Sequence, residues 1–259
     1  MSERVLRSIP ISFAGDDFFL DLSSKENPIV DVQQESSLFI NTKDDNLNYY
    51  IIYVTDNCNM RCKYCFNDIN ESRLNAKMEP SYSYEEFIRF LDRNEENEIG
   101  VRFFGGEPLM NAEWIYGFVN ALNSSKYRVH YDIFTNASLL TEEFIGFAQQ
   151  HNFRFFVSVN GGEDEYKGRI YKDAINKGVG QLIIKKFHVI GRMVYTPNRK
   201  EPLTNLVKES MDKGIQVLSF ALPWGQHNSI DSLALFRSQL VDFGLPPFSI
   251  PKLKLVKPQ

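Results

Sequence analysis

The sequence predicts an α/β protein, folded as a partial (β/α)6 TIM-like barrel with a small N-terminal cap. From residue 50 onward, apolar strand-like runs alternate with stretches of helical periodicity. Strand starts recur every ~25–35 residues, which is typical of βα units around a parallel sheet. Six such strands fit an incomplete barrel better than a closed eight-stranded one, and an open doubly wound sheet is the competing architecture.

The six predicted strands are Tyr50–Thr55, Val101–Phe104, Val129–Thr135, Phe153–Val159, Phe187–Thr196 and Ile215–Leu222. The predicted helices, with a period near 3.6 residues, are Tyr84–Asn94, Ala112–Ser124, Thr141–Gln150, Tyr171–Gly178 and Leu203–Lys213. Thr141 precedes two glutamates, a pattern that predicts a helix N-cap. Gly178 and Gly214 are predicted to end helices, where a left-handed residue is favoured.

Two further segments flank the predicted barrel, which spans residues 50–245 and includes a last helix over Ile230–Phe243. In residues 1–49, the apolar runs Ile9–Phe13 and Phe18–Leu22 surround a Gly-Asp-Asp turn and predict a hairpin. We interpret this segment as a β-rich cap on the barrel, or as a grip for a partner. Residues 246–259 are basic and broken by prolines, which indicates an extended strap or a disordered tail.

Composition narrows the classes of partner. The net charge is −4 and the pI is about 5.7, so the chain lacks the basic footprint of a nucleic-acid-binding protein. No apolar run approaches the ~20 residues that a membrane span needs. The first thirty residues contain no apolar core of a secretory signal. We therefore expect no nucleic-acid or membrane partner and a cytoplasmic location.

All three cysteines of the chain, Cys58, Cys62 and Cys65, lie within eight residues in a C-x3-C-x2-C spacing. Three thiolates on one loop suit a [4Fe–4S] cluster whose fourth iron is left open to a small molecule. A disulfide would leave one thiol over. Zinc prefers four ligands, and the histidines are scattered. Three inert buried thiols would not explain the clustering.

Polar or glycine-rich turns follow most of the predicted strands. They are Gly105-Gly106-Glu107-Pro108, Thr135-Asn136-Ala137, Ser158-Val159-Asn160-Gly161 and Pro223-Trp224, and the cysteine loop follows the first strand. In parallel α/β proteins, ligands bind at the carboxyl ends of the strands. The sequence therefore predicts a single site at one rim of the barrel.

These motifs together resemble the radical S-adenosylmethionine (SAM) superfamily over roughly residues 50–222. The cysteine spacing with Tyr64 before the last cysteine is similar to its cluster motif, and Gly105-Gly106-Glu107 to its Gly-Gly-Glu motif. The stretches from Thr135 to Thr141 and from Ser158 to Gly161 resemble the anaerobic sulfatase-maturing and peptide-modifying branch. The resemblance implies one [4Fe–4S] cluster, held by the three cysteines, and SAM on its open iron.

The resemblance also implies SAM-binding roles for residues of these turns, of the fifth strand and of the fourth helix. They are Tyr64, Gly105, Gly106, Glu107, Asn136, Ser158, Asn160, Arg169, Ile190 and Arg192. Glycines allow close approach of the backbone to the methionine moiety, and arginine suits its carboxylate. Asn160 stands where the family usually has Asp, so a bond to the ribose would lack charge.

The implied reaction is reductive cleavage of SAM to a 5′-deoxyadenosyl radical, which abstracts hydrogen from a substrate, most favourably a ribosomal peptide or protein side chain. A small-molecule radical SAM enzyme or a glycyl-radical activase is the alternative within that superfamily. A noncatalytic iron–sulfur sensor or scaffold is the alternative from another class. No cysteine follows Cys65, so we expect no auxiliary cluster in the chain and an external electron donor, flavodoxin- or ferredoxin-like.

Overall fold

The computed structural model describes residues 8–13, 16–21, 29–31, 49–62, 65, 80, 83–93, 97–159, 169–194, 203–215 and 217–221. Nine strands are present in this part of the chain: β1 Ser8–Phe13, β2 Asp16–Asp21, β3 Ile29–Asp31, β4 Tyr49–Thr55, β5 Glu98–Gly105, β6 Arg128–Thr135, β7 Arg154–Ser158, β8 His188–Val194 and β9 Val217–Ala221. The helices are α1 Tyr84–Leu91, α2 Ala112–Asn123, α3 Glu142–Gln150, α4 Arg169–Ile184 and α5 Leu203–Asp212. A short 3-10 helix, Pro108–Asn111, precedes α2.

The strands form one sheet in the order β3-β2-β1-β9-β8-β7-β6-β5-β4. From β4 to β9 every neighbouring pair is parallel, so the six strands of the predicted barrel follow one another without a reversal. A doubly wound sheet would reverse its order at a switch point. Because β–α–β crossovers share one hand, this order keeps the helices on one face. The partial TIM-like barrel is therefore confirmed over the doubly wound alternative.

The predicted N-terminal hairpin is present. β1 and β2 pair antiparallel, from Ser8↔Asp21 to Phe13↔Asp16. The hairpin extends the same sheet, because β1 also pairs in parallel with β9 through Ile11↔Phe220. The division of the chain into cap, barrel and tail stays a prediction, and the predicted helix at Ile230–Phe243 and the tail at 246–259 lie outside the described residues.

The core lies between the sheet and the helices. Phe103, Ile133 and Phe155 are buried on the helix-facing side of β5, β6 and β7. Phe103 packs edge-on against Phe118 of α2, with ring centroids 5.7 Å apart. Each such side chain contributes about 1.5–3 kcal/mol by leaving water. Because side chains alternate along a strand, the residues between them point to the opposite side, which we call the inner face.

Helix ends were predicted with mixed success. Thr141 is the N-cap of α3, since its hydroxyl accepts from the Phe144 N–H at 3.1 Å. Gly214 adopts φ +93 after α5, as predicted for a helix end. The prediction for Gly178 is wrong, because α4 continues past it to Ile184. Glycine is needed there for packing: a Cβ would lie 2.1 Å from the Ala137 carbonyl oxygen.

No helix in the described ranges is long and apolar enough to cross a membrane.

Candidate functional site

The cysteine loop leaves the carboxyl end of β4 and is curled by its own side chains. The Arg61 guanidinium donates to the carbonyl oxygens of Cys58 and Met60, at 2.7 and 2.6 Å. The Met60 N–H points at the Cys58 sulfur at 3.4 Å, and the Cys65 N–H donates to the Cys62 carbonyl at 3.1 Å. These bonds hold the loop around its thiols, as a metal-binding loop requires.

The Cys58 thiol lies where its charged form is disfavoured. Burial raises the pKa of Cys58 to about 12, and the nearby negative groups Glu107, Cys62 and Cys65 add to this, against the Met60 N–H. Metal ligation needs thiolates, so a cationic centre has to offset this cost. Within the described part of the chain, no three His, Cys, Asp or Glu side chains converge on one metal ion. A [4Fe–4S] cluster fits better than zinc, because each cysteine then ligates a different iron.

The Gly-Gly-Glu turn lies directly against this loop. The Gly106 N–H donates to the Thr55 carbonyl and the Glu107 N–H to the Asn57 carbonyl, both at 2.7 Å. A Cβ on Gly105 would lie 2.3 Å from the Thr55 oxygen, and one on Gly106 would lie 2.2 Å from the Asn57 oxygen. In this structure both glycines are therefore required by close contact with the loop backbone. Their contact with the methionine moiety of SAM stays a prediction.

The Glu107 carboxylate accepts hydrogen bonds from neighbouring groups of the protein. One oxygen accepts from the Thr135 hydroxyl at 2.7 Å and the Leu109 N–H at 3.1 Å, and the other accepts from the Asn136 N–H at 2.7 Å. The side chain is buried, and burial raises the pKa of Glu107 to about 7 despite these three donors. Glu107 thus joins the end of β5 to the turn after β6.

Asn136 joins that turn to the cysteine loop. Its amide nitrogen donates to the Asn59 side-chain oxygen at 2.9 Å, and Asn59 donates to the Ser138 hydroxyl at 2.8 Å. The Ser138 hydroxyl in turn donates to the Asn136 side-chain oxygen at 2.6 Å. The sequence analysis gave Asn59 and Ser138 no role, although Asn59 directly follows Cys58 and Ser138 lies in the Thr135 to Thr141 stretch. The predicted contact of Asn136 with SAM stays a prediction.

The remaining predicted residues divide into two groups. Ser158 and Arg192 are register partners on β7 and β8, and Ile190 lies two residues before Arg192 on the same face. They stand on the inner face of β7, which neighbours β6, and of β8, the next strand of the sheet. Tyr64 and Asn160 lie outside the described residues. Arg169 begins α4, but its side chain also lies outside them.

The inner face has two layers that the sequence analysis missed. In the middle of β5 and β6 and at the start of β7, Asp132 is held between the guanidinium groups of Arg102 and Arg154. Two residues further along each strand, toward its carboxyl end, the same face carries an aromatic layer. Its members are Tyr53, Phe104, Phe134 and Phe156. Ser158 and Arg192 lie beyond this layer, at the carboxyl rim, and Ile190, the register partner of Phe156, lies level with it. The two layers therefore form the interior surface beneath the rim.

Comparison with known proteins agrees with this arrangement. Residues 52–188, more than half of the chain, match the Radical SAM superfamily. An uncharacterized protein of Methanocaldococcus jannaschii is 27% identical over 186 residues, which are 69% of this chain and 63% of that protein. A cysteine-type anaerobic sulfatase-maturating enzyme of Clostridium novyi is 28% identical over 57% of this chain and 41% of its own.

A solved structure with the same fold is native anSMEcpe with bound AdoMet and Kp18Cys peptide, at a TM-score of 0.64. It is 17% identical and covers 77% of this chain and 62% of that one. The chain thus spans less than two thirds of the length of these relatives. The matched family, the parallel barrel and the cysteine loop lead to one conclusion: the chain belongs to the radical SAM superfamily and is an enzyme.

Proposed function

We propose that the protein cleaves SAM reductively at a single [4Fe–4S] cluster held by Cys58, Cys62 and Cys65, and modifies a peptide or protein side chain. The observation that carries this is the hydrogen-bonded rim: the cysteine loop, the Gly-Gly-Glu turn and the Asn136 turn form one continuous network. Cluster and SAM together would supply the 5′-deoxyadenosyl radical that abstracts hydrogen from the substrate.

The chain's own residues would position these groups. Arg61 and Asn59 hold the cysteine loop in shape, and Glu107 fixes that loop against the end of β6. The predicted SAM contacts Ser158 and Arg192 supply polar groups on β7 and β8. The half-buried aromatic layer beneath them would exclude water from the radical, which protects it from side reactions.

A peptide substrate is supported by the relatives. The matching solved structure contains a bound peptide, and the sulfatase-maturating relative acts on a protein by its name. A one-electron cleavage needs a reductant, so the proposal includes an external donor of the flavodoxin or ferredoxin type. No membrane-spanning or nucleic-acid partner is part of the proposal.

The decisive experiment is anaerobic reconstitution of the cluster, followed by addition of SAM and dithionite and detection of 5′-deoxyadenosine by mass spectrometry. We expect the nucleoside from the wild type and none from Cys58→Ala, Cys62→Ala or Cys65→Ala, with iron content lowered in each. Gly146→Ala, on α3 with nothing within 4 Å of the added methyl, is the control and should keep both properties.

An intact cluster that yields no nucleoside would overturn the proposed activity. A cysteine variant that still cleaves SAM would refute its assignment as an iron ligand. The two outcomes are independent, because iron content and nucleoside are measured separately.

A further inference from the structure

A layer of the inner face beneath the aromatic rings carries one more cation than anion. Arg154 binds Asp132 with two nitrogens, Nε to Oδ1 at 2.7 Å and Nη2 to Oδ2 at 3.0 Å. Arg102 donates from Nε to the same Oδ2 at 3.0 Å. The Asp132 side chain is only 1% exposed, so one buried carboxylate faces two guanidinium groups. This layer, defined by Arg102, Asp132 and Arg154, has a net charge of +1 and favours an additional anion.

Arg102 is the member of this layer that can receive it. Its Nε is used by Asp132, and its guanidinium lies over the Tyr49 ring, 3.9 Å from the centroid. In the part of the chain that the structure describes, no acceptor is bonded to its terminal nitrogens Nη1 and Nη2. The side chain is 34% exposed. Two adjacent guanidinium nitrogens match the two oxygens of a carboxylate.

Apolar surface lies next to these nitrogens. The Phe156 ring centroid is 6.0 Å from the Arg102 guanidinium carbon, and Phe134 stacks on Phe156 at 4.5 Å with an interplanar angle of 8°. Ile51, the register partner of Arg102 on β4, is 67% exposed. Half-buried aromatic rings and the exposed Ile51 beside a cation, on the interior side of the sheet, are features of a ligand site for an apolar group with an acid attached.

We propose that Arg102 binds a carboxylate of the substrate while the apolar part of the substrate packs on Phe134 and Phe156. The inference rests on the proposed function, since it concerns the substrate of that same site. It assigns a chemical class: an apolar or aromatic residue with a carboxylate close by, either the C-terminal carboxylate of a peptide or an acidic side chain next to it. The stacked rings lie between Arg102 and the rim, so the apolar part would lie nearer to SAM.

Three dipeptide probes separate these sources, each with 4-fluorophenylalanine as its second residue. They are N-acetyl-glycyl-fluorophenylalanine as the free acid, the same compound as the C-terminal amide, and N-acetyl-aspartyl-fluorophenylalanine amide. Binding to the reconstituted protein is measured by 19F NMR titration. We expect at least one acid to bind about tenfold more tightly than the uncharged amide. Two charge-assisted hydrogen bonds from a guanidinium to a carboxylate can supply a difference of this size. The acid that does so identifies the source of the carboxylate.

The variant Arg102→Met should reduce this preference to about twofold or less. Arg128→Met is the matched control: Arg128 is 78% exposed beside Glu98 at the start of β6, four residues before Asp132, and its loss removes the same charge without changing the Arg102–Asp132–Arg154 layer. Asp132 keeps its two bonds to Arg154 in the Arg102 variant, so the buried carboxylate stays paired. Should Arg102→Met lose its native circular dichroism spectrum, Arg102→Gln replaces it with the same expected result.

Equal binding of both acids and the amide by the wild type would overturn the inference, as would a preference unchanged by loss of Arg102. Formation of 5′-deoxyadenosine is measured on the same samples. A wild type that binds the acid through Arg102 but yields no nucleoside leaves the substrate site standing and removes the proposed activity. If the wild type yields the nucleoside but binds the acids no more tightly than the amide, the proposed activity stands and the substrate site is refuted.

Discussion

Substitution of Gly106 by alanine tests whether the glycines of the Gly-Gly-Glu turn are required by the cysteine loop. The added Cβ would lie 2.2 Å from the Asn57 carbonyl oxygen and 2.6 Å from the Asp56 carbonyl oxygen. Both obstacles are backbone atoms, so no side chain can rotate away. To restore even 3.0 Å, loop and turn must separate by about 0.8 Å, the difference between 3.0 and 2.2 Å.

The magnitude follows from what this separation breaks. Overpacking of this kind costs about 1–3 kcal/mol. The two backbone hydrogen bonds at 2.7 Å, from Gly106 and Glu107 to the loop, contribute about 0.5–1.5 kcal/mol each. We therefore expect the free energy of unfolding to fall by about 2–6 kcal/mol. The iron content should fall with it, because Cys58 lies one residue after Asn57.

The assay is urea unfolding of the reduced, metal-free protein, followed by iron analysis after reconstitution. Gly146→Ala is the matched control on α3, where the methyl meets nothing and should raise stability by about 0.5–1 kcal/mol. If Gly106→Ala unfolds within about 0.5 kcal/mol of the wild type and holds full iron, the packing argument is refuted.

Three further predictions concern the same framework. Gly178→Ala should destabilise the folded protein by about 1–3 kcal/mol in thermal unfolding. Gly180→Ala, two residues along α4 with open space around it, should stabilise it by about 0.5–1 kcal/mol. Equal effects of the two substitutions would contradict the packing reason for Gly178. The folded-state pKa of Glu107, about 7, lies above the unfolded value of 4.5, so the unfolded state loses its proton first and stability falls as pH rises from 4.5 to 7. The difference in unfolding free energy between wild type and Glu107→Gln should therefore fall by about 3 kcal/mol over that range. A difference independent of pH would show that burial does not raise the pKa of Glu107. Asn59→Ala should lose iron to a chelator faster than wild type, and exposed Asn120→Ala should not; identical rates would remove Asn59 from the support of the loop.

The sequence predicted the barrel because its signal is local. Each strand of β4 to β9 is a run of mostly apolar residues with a polar or glycine-rich turn after most of them, and the predicted strand bounds agree with the structure to within a few residues. The order of the strands followed from the regular alternation with helices. Gly178 was misjudged because glycine serves both to end a helix and to allow close packing. Only the contact with Ala137 distinguishes the two uses.

The candidate site was predictable only where its residues are neighbours in sequence. The cysteine spacing and the Gly-Gly-Glu turn are contiguous patterns with a known chemistry. The bond between Asn59 and Ser138 joins residues 79 positions apart, and neither residue type is unusual for a loop. Nothing local indicates such a link, because it forms only once β4 and β6 end at the same rim.

By itself, the sequence determined the class of fold, the three thiols and the turns that surround them, since each is a short pattern of residue types. The tertiary structure alone decided that the Glu107 carboxylate is used within the protein, that Asn136 supports the cysteine loop, and that two arginines share one buried aspartate. The physical reason is register: Arg102, Asp132 and Arg154 become partners because parallel pairing places them side by side on the inner face. Pairing between strands fixes which charges meet, and composition along one strand does not.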